Sequence, residues 1–387
     1  KPEVFEVAKE CFDSLAAEYD AIVLEGAGSP AEVNLKHGDI ANMRMAQYAK
    51  SPVLLVGDID RGGVYAAFVG TMEMLEQWER ALVGGCIVNR FRGDPSLLGP
   101  AHDYVLRHTG RPVLGVVPYI RDFNLPQEDS VEFKSGALDG AGPPDNAVEI
   151  AVIDLPHISN FTDFDALRME SDVRLRIIRS AEELSDADAV ILPGSKNVGG
   201  DMAYLRSNGL AERIMQLARA GKAEIVGICG GFQMLGQEIA DPHHLESPDG
   251  QSTGLGLLPV TTVLAAEKTL LRVNANHEPS GLPVVGYEIH HGQTSTGDVQ
   301  AIFRRDDGEV CGVGAPDHRV WGTYLHGVFD ADQFRRWFVD RLRERRGMTP
   351  VGKVMTTYDL EPVFDHLAQV VRENVQMDQI LKMMGVR

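Results

Sequence analysis

Short apolar runs, each ending in a polar or glycine-rich turn, recur along this chain and set its expected secondary structure. Asp20–Glu25, Ser51–Asp58, Gly85–Asn89 and Val113–Pro118 are four such runs in the first third of the sequence. Lys1–Glu18 before them and Val64–Arg80 between them predict helices. Buried strands alternating with helices favour a parallel sheet with helical crossovers, an α/β fold. A second series comprises Glu149–Ile153, Asp188–Leu192, Ala223–Val226, Val320–Phe329 and a run from Gly286 that reaches a loop at His290 and His291. Between the two series, Ser135–Asn146 is rich in glycine and proline and has no apolar periodicity, so it predicts a linker. The expected organisation is a first domain over 1–134, a linker over 135–147, a second domain over 148–335 and a helical extension over 336–387. Asp332–Arg346 and Pro362–Met384 predict helices that cover the second domain or mediate a subunit contact.

The turn Gly227-Ile228-Cys229-Gly230-Gly231 carries the clearest chemistry. It follows a buried strand and leads into an expected helix beginning at Phe232 and running towards Ala240. A cysteine at a sharp strand-to-helix turn stands above the sheet, close to helix-terminal amides that favour the thiolate. A lone cysteine is more often a buried structural one; the flanking glycines, which a turn without room for side chains needs, favour a nucleophile. His326, at the tip of the Val320 strand, is the first candidate for its base, with His290 a possible site-lining residue.

In the first series, polar groups collect at the strand tips: Glu25 before the turn Gly26-Ala27-Gly28-Ser29, Asp58 before Asp60 and Arg61, and Asn89. A carboxylate at a strand tip can hold Mg²⁺, and glycine turns admit phosphates or carboxylates. Asp94 and Asp122 read as caps or solvated loop residues.

Composition narrows the classes. At 387 residues the chain is long enough for two cores, and 44% hydrophobic content excludes a disordered one. A net charge of −19 argues against a nucleic-acid-binding surface. No apolar run reaches membrane-spanning length, so no membrane partner is expected. Four widely spaced cysteines show no metal-ligand pairing and suit a reducing cytoplasm.

The cysteine turn, the His326 strand and Leu192-Pro193-Gly194-Ser195 together resemble the class I, triad-type glutamine amidotransferases. That resemblance implies a flavodoxin-like second domain, Cys229 and His326 as catalytic pair, and the Gly194 and Gly230 amides as oxyanion hole. The common pattern places a glutamate two residues after the histidine, where this chain has Val328. Such a departure is typical of the branch that amidates corrinoids. Ser159-Asn160-Phe161-Thr162-Asp163-Phe164-Asp165, with Asp58-Ile59-Asp60-Arg61-Gly62-Gly63 and Asn89-Arg90-Phe91-Arg92-Gly93-Asp94, makes the chain similar to the cobyric acid synthase family over about residues 20–330.

This family resemblance implies a dethiobiotin-synthetase-like (P-loop NTPase-like) first domain that uses ATP and Mg²⁺, with no prosthetic group. Glu25 would hold the metal and Asn89 the adenine edge. Gly26, Gly28, Ser29, Asp58, Asp60 and Arg61 would line the phosphates and the acceptor carboxylate. The implied reaction is glutamine-dependent amidation of the b, d, e and g carboxylates of adenosylcobyrinic acid a,c-diamide, giving adenosylcobyric acid. Homo-oligomerisation is compatible with it. No Gly-Lys-Ser/Thr phosphate loop is found and the chain opens at Lys1, so the first domain is expected to be truncated. Cobyrinic acid a,c-diamide synthase, which generally lacks the Ser159–Asp165 run, another amidoligase of this architecture, and a non-catalytic fragment are the alternatives.

Overall fold

The computed structural model describes residues 2–121, 146–185, 187–246 and 250–386. Its strands are, in chain order, β1 (Val53–Asp58), β2 (Val83–Phe91), β3 (Val113–Pro118), β4 (Val148–Ile153), β5 (Ile158–Ser159), β6 (Val173–Ile178), β7 (Ala189–Leu192), β8 (Gly194–Ser195) and β9 (Glu224–Ile228). They continue with β10 (Glu238–Ala240), β11 (Gln251–Thr253), β12 (Val260–His277), β13 (Leu282–Thr296), β14 (Gln300–Arg305), β15 (Val310–Gly314) and β16 (Val320–Thr323). Two compact units result. Among the described residues, those up to 121 join Leu360 onward in one, and those from 146 to Asp359 form the other. The fold is α/β in both.

In the first unit, β1, β2 and β3 make a parallel sheet in that order. The helices Val64–Met74 and Gly99–Thr109 bury Val64, Phe68, Met72 and Val105 in its core with Cys86 and Val88 of β2. The expected strand at Asp20–Glu25 does not form. A strand requires a partner ladder, and these residues have none; Val23 is 87% exposed. The C-terminal segment also departs from expectation. The helices Glu361–Asn374 and Met377–Met383 belong to the first unit, where Val375 bridges Gly115 on β3 and Gln376 donates to the Leu114 carbonyl. Only the helix Asp332–Arg345 stays with the second unit. Most of the expected linker lies outside the described residues, as does Asp122.

The second unit is built on one large mixed sheet. Its parallel centre runs β6-β4-β7-β9-β16, and β15, β14 and β12 extend it antiparallel. The central strands are apolar without alternation, as sheets covered on both faces require: Ile150 to Ile153, Ala189 to Leu192, and Ile225 to Ile228 are buried. The helix after the cysteine turn is shorter than expected, Gly230–Leu235, because the chain re-enters the sheet as β10. The run expected to end in a loop at His290 instead continues as β13, held by the long ladder to β12 that pairs Thr269 with His290.

Gly115 makes the attachment of the C-terminal helices testable. A Cβ there would lie 2.6 Å from the Asn374 carbonyl oxygen and 2.7 Å from the Val375 Cα. Gly115→Val is expected to release the segment from Glu361 onward, seen as faster limited proteolysis at residues 360–383, with a stability loss of about 1–3 kcal/mol. Unchanged proteolysis would refute this attachment.

Candidate active site

β9 and its parallel neighbour β16 run in register, Ile228 opposite Thr323, and the Cys229 amide donates to the Thr323 carbonyl at 2.8 Å. Cys229 follows the end of β9 directly and His326 lies shortly beyond β16. Both therefore emerge at the carboxyl edge of the sheet, where open α/β sheets bind ligands. Cys229 holds φ 52° and ψ −107°. Such a backbone costs a non-glycine residue roughly 1–3 kcal/mol and persists only where the surroundings impose it. The turn is that crowded: a Cβ on Gly231 would lie 2.0 Å from the Leu192 carbonyl oxygen. The Cys229 Sγ is nearly buried, 3.9 Å from the Ile289 carbonyl.

His326 is 1% exposed, and its Nδ1 hydrogen-bonds Asp163 Oδ2 at 2.8 Å. The other oxygen of Asp163 accepts the Gly327 amide at 2.8 Å. A carboxylate only accepts, so Nδ1 carries a proton and Nε2 is the ring nitrogen left for proton exchange. Burial disfavours a charged ring, but the Asp163 carboxylate and Cys229 outweigh it and push the imidazole up to about 10. Tyr287 lies against the same ring, 5.2 Å between centres and 22° from parallel.

Asp163 answers the question that Val328 raised. Val328 is fully buried in the apolar core, and the carboxylate comes from the one-turn 3₁₀ helix Phe161–Phe164, entered through Asn160 at φ 52°. The only sequence signal for it is the Ser159–Asp165 run itself, a family marker that assigns its acids no role. His290 does not reach the thiol. Its Nε2 bonds Glu288 Oε2 and its Nδ1 bonds the Gly292 carbonyl, both at 2.9 Å, and its ring stacks on Tyr324.

The turn Gly194–Ser195 pairs with β5 and abuts the pair from the other side. A Cβ on Gly194 would lie 3.2 Å from His326 Cε1 and 2.9 Å from Ser159 Oγ, so the ring and the hydroxyl leave no room for a side chain. Gly230 comes equally close, its Cβ position 2.8 Å from the Ser195 nitrogen. Beyond Tyr287, a cavity of about 820 Å³ is lined by Leu270, Leu271, Arg272, Val285, Asp330 and Ala331 among others. Burial, together with the charge of Asp163, raises the Asp330 carboxyl to about 7. Elsewhere in the two cores, burial pushes the Cys86 thiol up to about 11 and the Cys311 thiol up to about 12, which keeps both protonated and inert.

In the first unit, Asp58 and Asn89 lie opposite each other at the carboxyl ends of β1 and β2. Arg61 and Arg90 each approach Asp58 at 3.5 Å, and Arg92 pairs with Asp60 at 3.1 Å. The Asn89 side-chain oxygen accepts the Arg90 amide. The turn Gly26 to Ser29 forms a separate group, held by Asn42 Nδ2 donating to the Ala27 carbonyl, with Gly28 at φ 66°. Glu25 is exposed and makes no hydrogen bond or ion pair. Among the described residues no three acids, histidines or cysteines gather as a metal cluster. Asp94 is a cap, accepting the Ser96 amide at 2.9 Å. No helix of the described residues is long and apolar enough to cross a membrane.

Residues 149–334 match the CobB/CobQ-like glutamine amidotransferase domain, and residues 2–127 match an AAA domain. The chain is 51% identical to the cobyric acid synthase of Nitratidesulfovibrio vulgaris, over 100% of this chain and 78% of that protein. It is 50% identical to the adenosylcobalamin biosynthesis bifunctional protein CobDQ of Leptospira interrogans, over 100% of this chain and 45% of that protein. The cobyric acid synthase of Geobacillus kaustophilus is 44% identical, over 98% of this chain and 75% of its own length. The chain thus spans less than half of the bifunctional relative and about three quarters of the other two.

The buried pair predicts a pH signature. A histidine whose folded pKa is raised stabilises the fold fully below its unfolded value near 6.5, and that stabilisation is lost as pH rises towards about 10. Asp163→Asn removes it. The stability gap between the native chain and this variant is expected to shrink steadily in denaturant titrations from pH 6 to pH 10. A pH-independent gap would mean that Asp163 does not hold an imidazolium.

Proposed function

The chain belongs to the cobyric acid synthase family, and on that footing we propose that it hydrolyses glutamine at Cys229 and delivers the ammonia to corrinoid carboxylates. The observation that carries this reading is the Cys229–His326–Asp163 arrangement at one sheet edge. His326, held as an imidazolium, already carries on Nε2 the proton taken from the thiol, and the sulfur adds to the side-chain amide carbon of glutamine. The resulting oxyanion is held by backbone amides of the turns at Gly194 and Gly230. The imidazolium returns the proton to the departing nitrogen, ammonia leaves, and water then cleaves the thioester with His326 as base. Asp163 keeps the ring in the tautomer and orientation that every step uses. The near absence of solvent around His326 prevents the proton from being lost to bulk water.

When bound in the first unit, ATP with Mg²⁺ would supply phosphoryl activation of the acceptor carboxylate. Mg²⁺ takes one or two protein carboxylates and completes its shell with phosphate and water, so a single unpaired Glu25 suits it. Asn89 would read the adenine edge. The Gly26, Gly28 and Ser29 turn and the Asp58, Asp60 and Arg61 cluster would line the phosphates and the acceptor. The acceptor we infer is adenosylcobyrinic acid a,c-diamide, amidated at b, d, e and g to adenosylcobyric acid. The Ser159–Asp165 run favours it over the diamide-forming relatives, and the Asp163–His326 bond supports a mechanical part for that run. Four unbridged cysteines suit a cytoplasmic enzyme.

Two substitutions test the reading. Cys229→Ser is expected to abolish glutamine-dependent amidation of the a,c-diamide while ammonia still supports it in the complete enzyme, as followed by mass spectrometry of the corrinoid. His326→Ala should lower glutamine turnover by roughly two to four orders of magnitude, with His290→Ala much milder. Retained glutamine hydrolysis by Cys229→Ser would sink the assignment.

A further inference from the structure

Asp201 has no part in the chemistry above, yet it is fully buried and its side chain bonds both Ser195 of the oxyanion turn and His157 at the entry of the strand that pairs with it. It sits in the first turn of the helix Val198–Ser207, directly after that turn. Oδ2 accepts the Ser195 hydroxyl at 2.6 Å, and Oδ1 accepts the His157 backbone amide at 3.2 Å and meets His157 Nδ1 at 2.9 Å. The Ser195 oxygen in turn accepts the Asn197 amide at 2.9 Å, and the Lys196 amide donates to the His157 carbonyl at 3.0 Å. One carboxylate therefore ties β8 to the entry of β5. These are the two short strands whose pairing places Gly194 beside His326 and Ser195 beside Gly230.

A buried carboxylate is costly unless each oxygen is satisfied, and hydrogen bonds to an ionised group are shorter and stronger than neutral ones. Without that carboxylate the turn keeps only the two-residue strand pair, the Lys196–His157 backbone bond and the Asn197–Ser195 bond. A turn that supplies donors to an oxyanion must keep them in place before the charge develops, because reorganisation during the reaction forfeits the stabilisation. We propose that Asp201 is the positioning residue of the oxyanion turn, setting the Gly194–Ser195 backbone against Gly230 through Ser195 Oγ and His157. The inference rests on the glutaminase reading of Cys229.

Its signature differs from that of a general packing defect. The oxyanion exists only along the reaction path, so Asp201→Asn should lower kcat for glutamine hydrolysis by about 10²–10³-fold, the loss typical of a removed oxyanion donor. KM should change by less than about threefold, since glutamine in its ground state does not use the turn. Alkylation of Cys229 by iodoacetamide proceeds by displacement at a saturated carbon and forms no oxyanion, so its rate should stay within about twofold of the native chain. Ser195→Ala, which removes only the hydroxyl bridge, should show the same pattern more weakly and decides the matter if Asp201→Asn does not fold. Native kcat in the folded variant, a loss carried by KM, or alkylation falling in parallel with turnover would each overturn the proposal. If the native 387-residue chain itself fails to hydrolyse glutamine through Cys229, the glutaminase reading fails and the inference falls with it; native turnover with an indifferent Asp201→Asn removes the inference alone.

Discussion

The contact between Asp163 and His326 is the constraint on which the second unit depends. Both side chains are almost wholly buried, and desolvating two ionisable groups costs several kcal/mol per ion unless geometry compensates. Here it does: one carboxylate oxygen takes Nδ1 and the other the next backbone amide, so both the ring and the chain carrying it are located. Gly327 can follow because glycine accepts its φ of 72°. The Tyr287–His326 bridge then closes the loop onto β13, whose Ile289 carbonyl borders the Cys229 sulfur.

A second buried network keeps the two segments that meet in this contact from drifting. Arg335 donates to Glu170, a few residues after Asp163, and to the Phe329 carbonyl, a few residues after His326. Arg336 bonds Asp172 through both terminal nitrogens, at 2.9 and 3.0 Å, and Arg343 adds a third link at 3.2 Å. Pairs of this kind contribute little net stability beyond what apolar packing would supply, but removal of one partner strands a buried charge at a cost of roughly 3–5 kcal/mol. The planar, always charged guanidinium suits such multiple anchoring, which lysine could not reproduce.

The first unit is organised on a different principle. Its polar groups are partly solvated and paired with one another at the strand tips, Asp58 with Arg61 and Arg90, Asp60 with Arg92 stacked over Tyr119 at 3.6 Å. Exposed pairs of this sort are worth about 0–1 kcal/mol each, so a ligand carboxylate or phosphate can displace a partner at small cost. Glu25, at the tip of an equivalent run in the sequence, is exposed and makes no ion pair.

The sequence alone determined the α/β class, the cysteine turn and the position of His326 just past a strand end. Those depend on local patterns: apolar runs of strand length, glycines where no side chain fits, and a histidine just past a strand end. It also carried the motifs behind the family resemblance. Only the tertiary structure decided what orients His326, because Asp163 lies far from it along the chain and meets it through the packing of a 3₁₀ turn against the loop after β16. The same holds for Asp20–Glu25, which has the apolar pattern of a strand but finds no neighbouring ladder, and for the C-terminal helices, which pair with β3 of the first unit. Local residue pattern states what a segment can become; partners distant in sequence decide whether it does.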